Sequence, residues 1–416
     1  MVERQRTVRE RFLAVRAATQ RLCAPLVPSD FEAQSMTACS PTKWHLAHTS
    51  WFFETFVLSR FAREYAPRDP RYGYLFNSYY VTIGERQQRS ERGLLTRPTL
   101  PEVQSYVAQV TERVQQLMSL EPSPDLLDWI ELGCHHEQQH QELILTDILH
   151  LFSRNRLEPA YVPEASEIQR IETKPRSDWF EVPEGLYEVG HAAAGFAFDN
   201  EQPRHKVYLP AYRLATRLVT NGEFIEFIED GGYQRPDLWL DAGYHAVCAE
   251  RWTMPLYWRR EDGGYTQFSL RGRRPLDRHE PVCHISYFEA DAFARWAGAR
   301  LPTEQEWEVA AEGRDVRGNF VETGRLRPAR PLGNGALEQL FGDVWEWTRS
   351  GYQAYPGYRV PAGALGEYNG KFMCGQFVLR GGSCASPQSH IRATYRNFFH
   401  PADRWQFSGL RLAEDQ

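Results

Sequence analysis

His136-Glu137-Gln138-Gln139-His140 stands inside a run that repeats apolar residues at helical spacing. Leu126, Leu127, Trp129, Ile130 and Leu132 precede it, and Leu143, Ile144, Ile148 and Leu149 follow. Residues four apart share one face of an α-helix, with Cβ atoms roughly 5–6 Å apart, so the two imidazoles can share one metal ion. The same five residues fit the H-E-x-x-H pattern of zinc proteases. The third ligand therefore decides the chemistry.

The flanking sequence supplies partner helices. Val8, Phe12, Val15 and Leu22 recur at helical spacing. Ser40-Pro41 reads as a helix start, a capping hydroxyl before a first-turn proline. The helix that follows carries Trp44, His45, His48, Trp51, Phe52 and Thr55. Thr99 and Pro101 open another, with the stripe Val103, Tyr106, Val107, Val110, Val114, Leu117 and Met118. Four amphipathic helices predict a four-helix bundle, in which metal sites are built from facing helices. The connection from about Arg60 to Pro98 is long, and long ordered loops are often functional.

One protease type would need Gly at 143 and His at 146, and those positions hold Leu143 and Thr146. The other needs a downstream helical glutamate, but Glu158 sits between Leu157 and Pro159 in a stretch without helical period. The bundle offers His45 or His48 instead. Either one with His136 and His140 gives three neutral nitrogen ligands and leaves open positions. Such a set suits zinc, iron, nickel or copper. The spacing does not choose between His45 and His48.

Beyond Arg156 the texture changes. A polar linker over 163–178 separates a helical domain, 1–162, from a second domain, 179–416, with short strand-like pieces, many Gly and Pro, and most of the tryptophans. Helices are predicted there over Asn221–Glu229 and Tyr287–Ala297. The fold class is multidomain, α followed by α+β.

The chain has 416 residues, 42% hydrophobic and 25% charged, with a net charge of −6. That length permits two or three domains, and the charge gives no case for nucleic acid. No 18-residue apolar run predicts a membrane span. The charged start, Met1-Val2-Glu3-Arg4, reads as a helix rather than a signal peptide. Seven scattered cysteines without a C-x-x-C pair predict reduced thiols and a cytoplasmic location.

Several motifs occur together in order: Trp44-His45-Leu46-Ala47-His48, His136 to His140, Gly342-Asp343-Val344-Trp345-Glu346-Trp347-Thr348, Val378-Leu379-Arg380-Gly381-Gly382-Ser383, Tyr395-Arg396-Asn397-Phe398-Phe399, and Phe407-Ser408-Gly409-Leu410-Arg411. On these the chain resembles the EgtB-type sulfoxide synthases of ergothioneine biosynthesis, the hercynine oxygenases. The resemblance covers nearly the whole chain. It implies a DinB-like four-helix bundle followed by a formylglycine-generating-enzyme-like domain of C-type-lectin type. It implies Fe(II) held by His48, His136 and His140. It also implies an O2-dependent reaction joining a thiol sulfur to C2 of hercynine, with oxidation to the sulfoxide.

By the same resemblance Gln139 contacts hercynine, and Asn397, Phe398 and Phe399 line its site. Aromatic faces suit a trimethylammonium group. Tyr79 and Tyr80, in the long bundle loop, are the candidate acids. Arg86, Arg89 and Arg92 recur every third residue, and Arg89 and Arg92 are the candidate anchors for the thiol's carboxylate. Members that use γ-glutamylcysteine carry Asp where this chain has Phe399, and Arg where it has Asp403. Both departures point to cysteine as co-substrate. Cys384 follows the Arg-Gly-Gly-Ser segment without a nearby partner, so oxidation of a peptide cysteine is not expected of this domain. The competing readings are a DinB-type thiol transferase or hydrolase using zinc or nickel, and a binding protein with a lectin-like domain.

Overall fold

The computed structural model describes residues 2–163, 178–192, 194–333 and 337–416. Most of the predicted linker lies outside the described residues. The chain divides into two units: Met1–Val162 with Ala362–Tyr368, and Pro163–Pro361 with Asn369–Gln416. The segment 362–368 thus packs with the bundle, although the sequence assigns it to the second domain. Among the described residues no helix is long and apolar enough to cross a membrane.

Four long helices form the first unit: α1 (Val2–Cys23), α2 (Thr42–Phe53), α3 (Leu100–Ser119) and α4 (Pro124–Ser153). The start of α3 follows the sequence, with Thr99 and Glu102 forming a capping box. Ser123 caps α4 by accepting from the Leu126 amide. The start of α2 does not follow it. Ser40 makes no cap, because its amide donates to Asp147 and its hydroxyl accepts from Arg92.

Every residue of α2 is buried, so this helix runs through the middle of the unit. It continues into a π-turn over Glu54–Leu58, a distortion common near functional sites. Buried Glu54 pins that turn by accepting from the hydroxyls of Tyr106 at 2.6 Å and Tyr65 at 2.8 Å. Gly133 lets α4 approach closely, since a Cβ there would lie 2.4 Å from the Phe53 ring.

The second unit is α+β. Its strands are β1 (Trp179–Val182), β2 (Gly185–Val189), β3 (His205–Leu209), β4 (Tyr212–Ala215), β5 (Trp258–Glu261), β6 (Gly264–Ser269), β7 (Gly272–Pro275), β8 (Trp345–Gly351), β9 (Phe377–Arg380), β10 (Asn397–Phe399), β11 (Ser408–Gly409) and β12 (Ala413–Asp415). They pair as β1-β4-β12, β10-β9-β8-β11, β2-β3 and β5-β6-β7, and only β11 on β8 is parallel. Helices cover Asn221–Glu229 and Tyr287–Trp296 as the sequence predicts, and also Asp241–Glu250 and Glu304–Ala311.

The interior combines Trp307, Trp345 and Trp347 with buried ion pairs. Arg411 grips Glu346 at 2.8 Å, and Arg380 reaches Glu304 at 3.0 Å and Glu308 at 2.8 Å. Removing one partner of such a pair would leave a buried charge uncompensated. The Arg-Gly-Gly-Ser motif serves this packing. Gly381 and Gly382 have φ of +97° and +83°, and a Cβ on Gly381 would lie 2.4 Å from the Leu340 carbonyl.

Candidate metal centre

On α4 the i,i+4 spacing turns His136 and His140 toward α2, which brings His48. The three ring centroids form a near-equilateral triangle, 4.6, 4.7 and 4.8 Å on its sides. One nitrogen from each ring lies within 4.8 Å of the others, and the His48 and His136 Nε2 atoms face each other at 3.1 Å. Aromatic walls hold the rings. Trp44 stacks on His48 at 4.5 Å, Trp51 lies beyond it at 5.6 Å, and Phe52 stacks on His136 at 4.4 Å.

The protonation pattern suits a metal. His48 Nδ1 lies 2.6 Å from the Phe76 carbonyl, an acceptor only, so Nδ1 carries the hydrogen and Nε2 keeps a lone pair. Buried His136 Nδ1 has no hydrogen-bond partner among the described residues. Burial, with repulsion between neighbouring rings, pushes His136 down to about 3 and holds His48 and His140 well below the usual histidine value. Three neutral imidazoles gathered in one place are the donor set a divalent transition metal takes.

This burial predicts an acid-labile bundle. The unfolded histidines take up protons near pH 6.5, while the folded ones stay neutral far below it. Their contribution is therefore complete above pH 6.5 and is lost as pH falls from there toward 3. The slope is about 1.4 kcal/mol per pH unit for each such histidine. Thermal melts of metal-free protein should show the bundle transition falling steeply between about pH 7 and 5.5, and a flat profile would contradict the assignment.

Glu137, the would-be protease base, points away from this cluster. Its carboxylate accepts from Arg16 at 2.9 Å and Thr19 at 2.6 Å, both on α1, and it is fully buried. It cannot reach a water bound between the histidines, so the zinc-protease reading fails on geometry as well as on spacing.

The loop after α2 is tied to the same place. Phe76, which accepts from His48, is followed by Asn77, whose side chain accepts from the Tyr80 amide at 2.9 Å and donates to the Tyr80 carbonyl at 2.8 Å. That clasp sets the tyrosine pair, with hydroxyls 3.4 Å apart. Tyr80 is buried and Tyr79 half-buried. Burial holds the Tyr80 hydroxyl well above 10.

The returning segment 362–368 docks on this loop. Glu367 accepts from the amides of Val81 and Thr82 at 2.8 and 2.9 Å. Tyr368 is thereby placed with its hydroxyl 2.5 Å from Gln139 Oε1 and its ring 6.0 Å from His136 and 6.3 Å from Tyr79. Sequence reasoning missed Tyr368.

The arginines diverge. Arg89 is exposed. Arg92 is buried, with its guanidinium 3.4 Å over the Trp44 ring and donating to Ser40 at 2.9 Å. Among the described residues its Nε has no hydrogen-bond partner, and burial pushes the group down to about 8.

His48, His136, His140, Gln139, Tyr79, Tyr80, Arg89 and Arg92 all belong to the first unit. Asn397, Phe398 and Phe399 form β10 of the second, where Phe398 stacks on Tyr352 at 4.0 Å. In that unit Cys384 is buried and Cys374 exposed.

Comparison with known proteins finds a family model for each part of the chain. The DinB superfamily model matches residues 11–144, and the sulfatase-modifying factor enzyme 1-like domain model matches 164–335 and 331–416. A hercynine oxygenase of Mycolicibacterium thermoresistibile is 35% identical over 90% of this chain and 87% of its own length. That of Mycolicibacterium smegmatis is 32% identical over the whole of both chains. A formylglycine-generating enzyme of Streptomyces coelicolor is 29% identical over 58% of this chain and 91% of its own.

Proposed function

We propose, from the premise that the chain belongs to the hercynine oxygenase family, that it is an iron(II)-dependent sulfoxide synthase of ergothioneine biosynthesis. It joins cysteine sulfur to C2 of hercynine at the expense of O2. Atoms balance when thiol, imidazole C2–H and one O2 give the sulfoxide and one water. The observation that carries this reading is the convergence of three neutral imidazoles with Gln139 and a tyrosine cluster. A ferrous ion held by His48, His136 and His140 would supply the redox chemistry with O2 and make the thiol a thiolate.

The remaining work belongs to the protein's own groups. Gln139, held by Tyr368, orients hercynine by a hydrogen bond. Asn397, Phe398 and Phe399 are the proposed contacts for its trimethylammonium end, where aromatic faces replace hydrogen bonding. Tyr79 and Tyr80 move protons.

Arg92 is a buried cation without a carboxylate partner on it, and a substrate carboxylate would complete it; Arg89 would assist from the exposed side. Phe399 and Asp403 stand where members that use γ-glutamylcysteine carry Asp and Arg, and these departures favour cysteine. Arg92→Met should raise KM for cysteine by roughly 30–1,000-fold, from about 2–4 kcal/mol for a desolvated charge pair, with a smaller change in kcat. An unchanged KM would remove Arg92 from the site.

The test of the function is metal analysis of anaerobically purified protein, then oxygen uptake with hercynine and cysteine. The reading requires iron-dependent uptake that needs both substrates and yields the sulfoxide. Activity with zinc or nickel and without O2 would establish the transferase or hydrolase alternative instead. A preference for γ-glutamylcysteine would overturn the thiol assignment alone.

A further inference from the structure

Besides His48, α2 carries His45 one turn earlier, buried and turned toward α4. His45 Nδ1 lies 2.8 Å from His140 Nδ1, and His45 Nε2 lies 3.0 Å from Asp147 Oδ2. Asp147 is on α4, seven residues after His140 and on the same face. Its Oδ2 already accepts from the Ser40 amide at 2.8 Å, so it is the accepting side of the contact with His45. All three side chains are buried, so no bulk water offers the rings other partners.

The direction of each hydrogen follows. His45 Nε2 donates to Asp147. The facing Nδ1 atoms of His45 and His140 share one hydrogen, and His140 can ligate from Nε2 only if that hydrogen is its own. A neutral imidazole that donates from Nε2 accepts at Nδ1. His140 Nδ1 must then carry the hydrogen, and His140 Nε2 is left as a lone pair. A fully buried ring with one fixed partner cannot exchange these roles without breaking the chain of bonds.

We propose that Asp147 and His45 are positioning residues that lock His140 in the tautomer able to ligate a metal. His45 is thereby not the third ligand but the holder of another one. Its relation to His140 is that of a carboxylate-type partner to a metal-bound histidine, extended by one imidazole. The inference rests on the reading that His48, His136 and His140 hold a metal, and it adds which residues set the donor atom of one of them.

Asp147→Leu is the informative variant because it keeps the size and removes the acceptor, whereas asparagine would keep its amide oxygen on the Ser40 N–H and still accept from His45. Without that acceptor the His45 hydrogen is free to move to Nδ1 and donate to His140 Nδ1, which puts the His140 hydrogen on Nε2, the ligand atom. A merely structural Asp147 would leave the His140 tautomer unchanged.

Two measurements on the full chain decide the matter. Long-range ¹⁵N–¹H spectra of histidine-labelled, metal-free protein at neutral pH should show His140 as the Nδ1–H tautomer in the wild type and shifted toward Nε2–H in Asp147→Leu. Anaerobic titration with Co(II), followed by its visible absorption, should show affinity lowered roughly 10–100-fold in Asp147→Leu. His140 as Nε2–H in the wild-type protein would overturn the proposal, and so would a Co(II) affinity within about twofold of wild type in Asp147→Leu. Should that variant not fold, the wild-type tautomer decides alone. Failure of the wild type to bind Co(II) would instead strike the metal reading, since the metal-free spectra judge the lock independently.

Discussion

His136→Ala is expected to abolish metal retention and turnover together. Structural zinc sites in small domains bind with about 10–16 kcal/mol shared over four ligands. One ligand is thus worth about 2.5–4 kcal/mol, or roughly 10²–10³-fold in affinity. A site with only three protein ligands has little margin beyond that, so protein purified without added iron should come out empty. The loss should not come from unfolding. Removing the ring opens a hole beneath Phe52, which stacks on it at 4.4 Å, a local defect that leaves the other apolar contacts of the buried helix α2 in place. Far-ultraviolet circular dichroism should keep its helical signal while iron analysis reads zero. His48→Ala should behave in the same way. His45→Ala should retain metal with weakened affinity, because His45 meets His140 and Asp147 and not the centre of the triangle. Iron retained by His136→Ala, or lost equally from all three variants, would count against the ligand set.

Much of this centre was legible because helical periodicity is a strong signal. The i,i+4 spacing of His136 and His140 needs only a helix to become a chelate, and the apolar residues on either side predict that helix. The choice between His45 and His48 was not legible. The two lie only about 60° apart around a helix buried on every side, so no polar face marks which of them points to the metal. The structure separates them by what occupies their other nitrogen, the Phe76 carbonyl for His48 and Asp147 for His45. Asp147 did leave a trace, since seven residues after His140 returns to the same helix face.

Ser40 misled for a physical reason. Its hydroxyl and amide are spent on Arg92 and Asp147, tertiary partners that local capping rules do not see. Tyr368 left no such trace. The segment 362–368 is continuous in sequence with the second unit but packs with the first. It is held by Glu367 on two backbone amides, and contacts to backbone carry no signature in the partner's sequence. In the second unit the strands are short and the fold is carried by buried Arg–Glu pairs and tryptophans. The helix Glu304–Ala311 escaped notice because Glu304, Glu306 and Glu308, which look like surface residues, are buried against arginines.

Tyr79→Phe and Tyr80→Phe are each expected to lower kcat by roughly 10²–10⁴-fold, the range for loss of a positioned acid, with KM for both substrates little changed. In the proposed reaction, making water from one oxygen atom of O2 takes two protons, one from the thiol and one from C2–H of hercynine. Neither is released where it is needed, so a group must carry them. The Tyr80 hydroxyl is suited to hold a proton until then, because burial keeps it neutral well above pH 10. It lies 3.4 Å from the Tyr79 hydroxyl, and half-buried Tyr79 links it outward. Two hydroxyls acting as one unit lose their effect together, so the double variant should be no slower than the worse single one. The rate should also stay flat with rising pH through the range where an ordinary tyrosine starts to ionise. Tyr368→Phe should behave differently. Its hydroxyl bonds Gln139, so its loss should loosen hercynine orientation and raise KM for hercynine more than it lowers kcat. Steady-state kinetics of the four variants separate proton transfer from positioning. Full kcat in the Tyr79/Tyr80 double variant, with the slow step moved to Tyr368→Phe, would transfer the acid role to Tyr368.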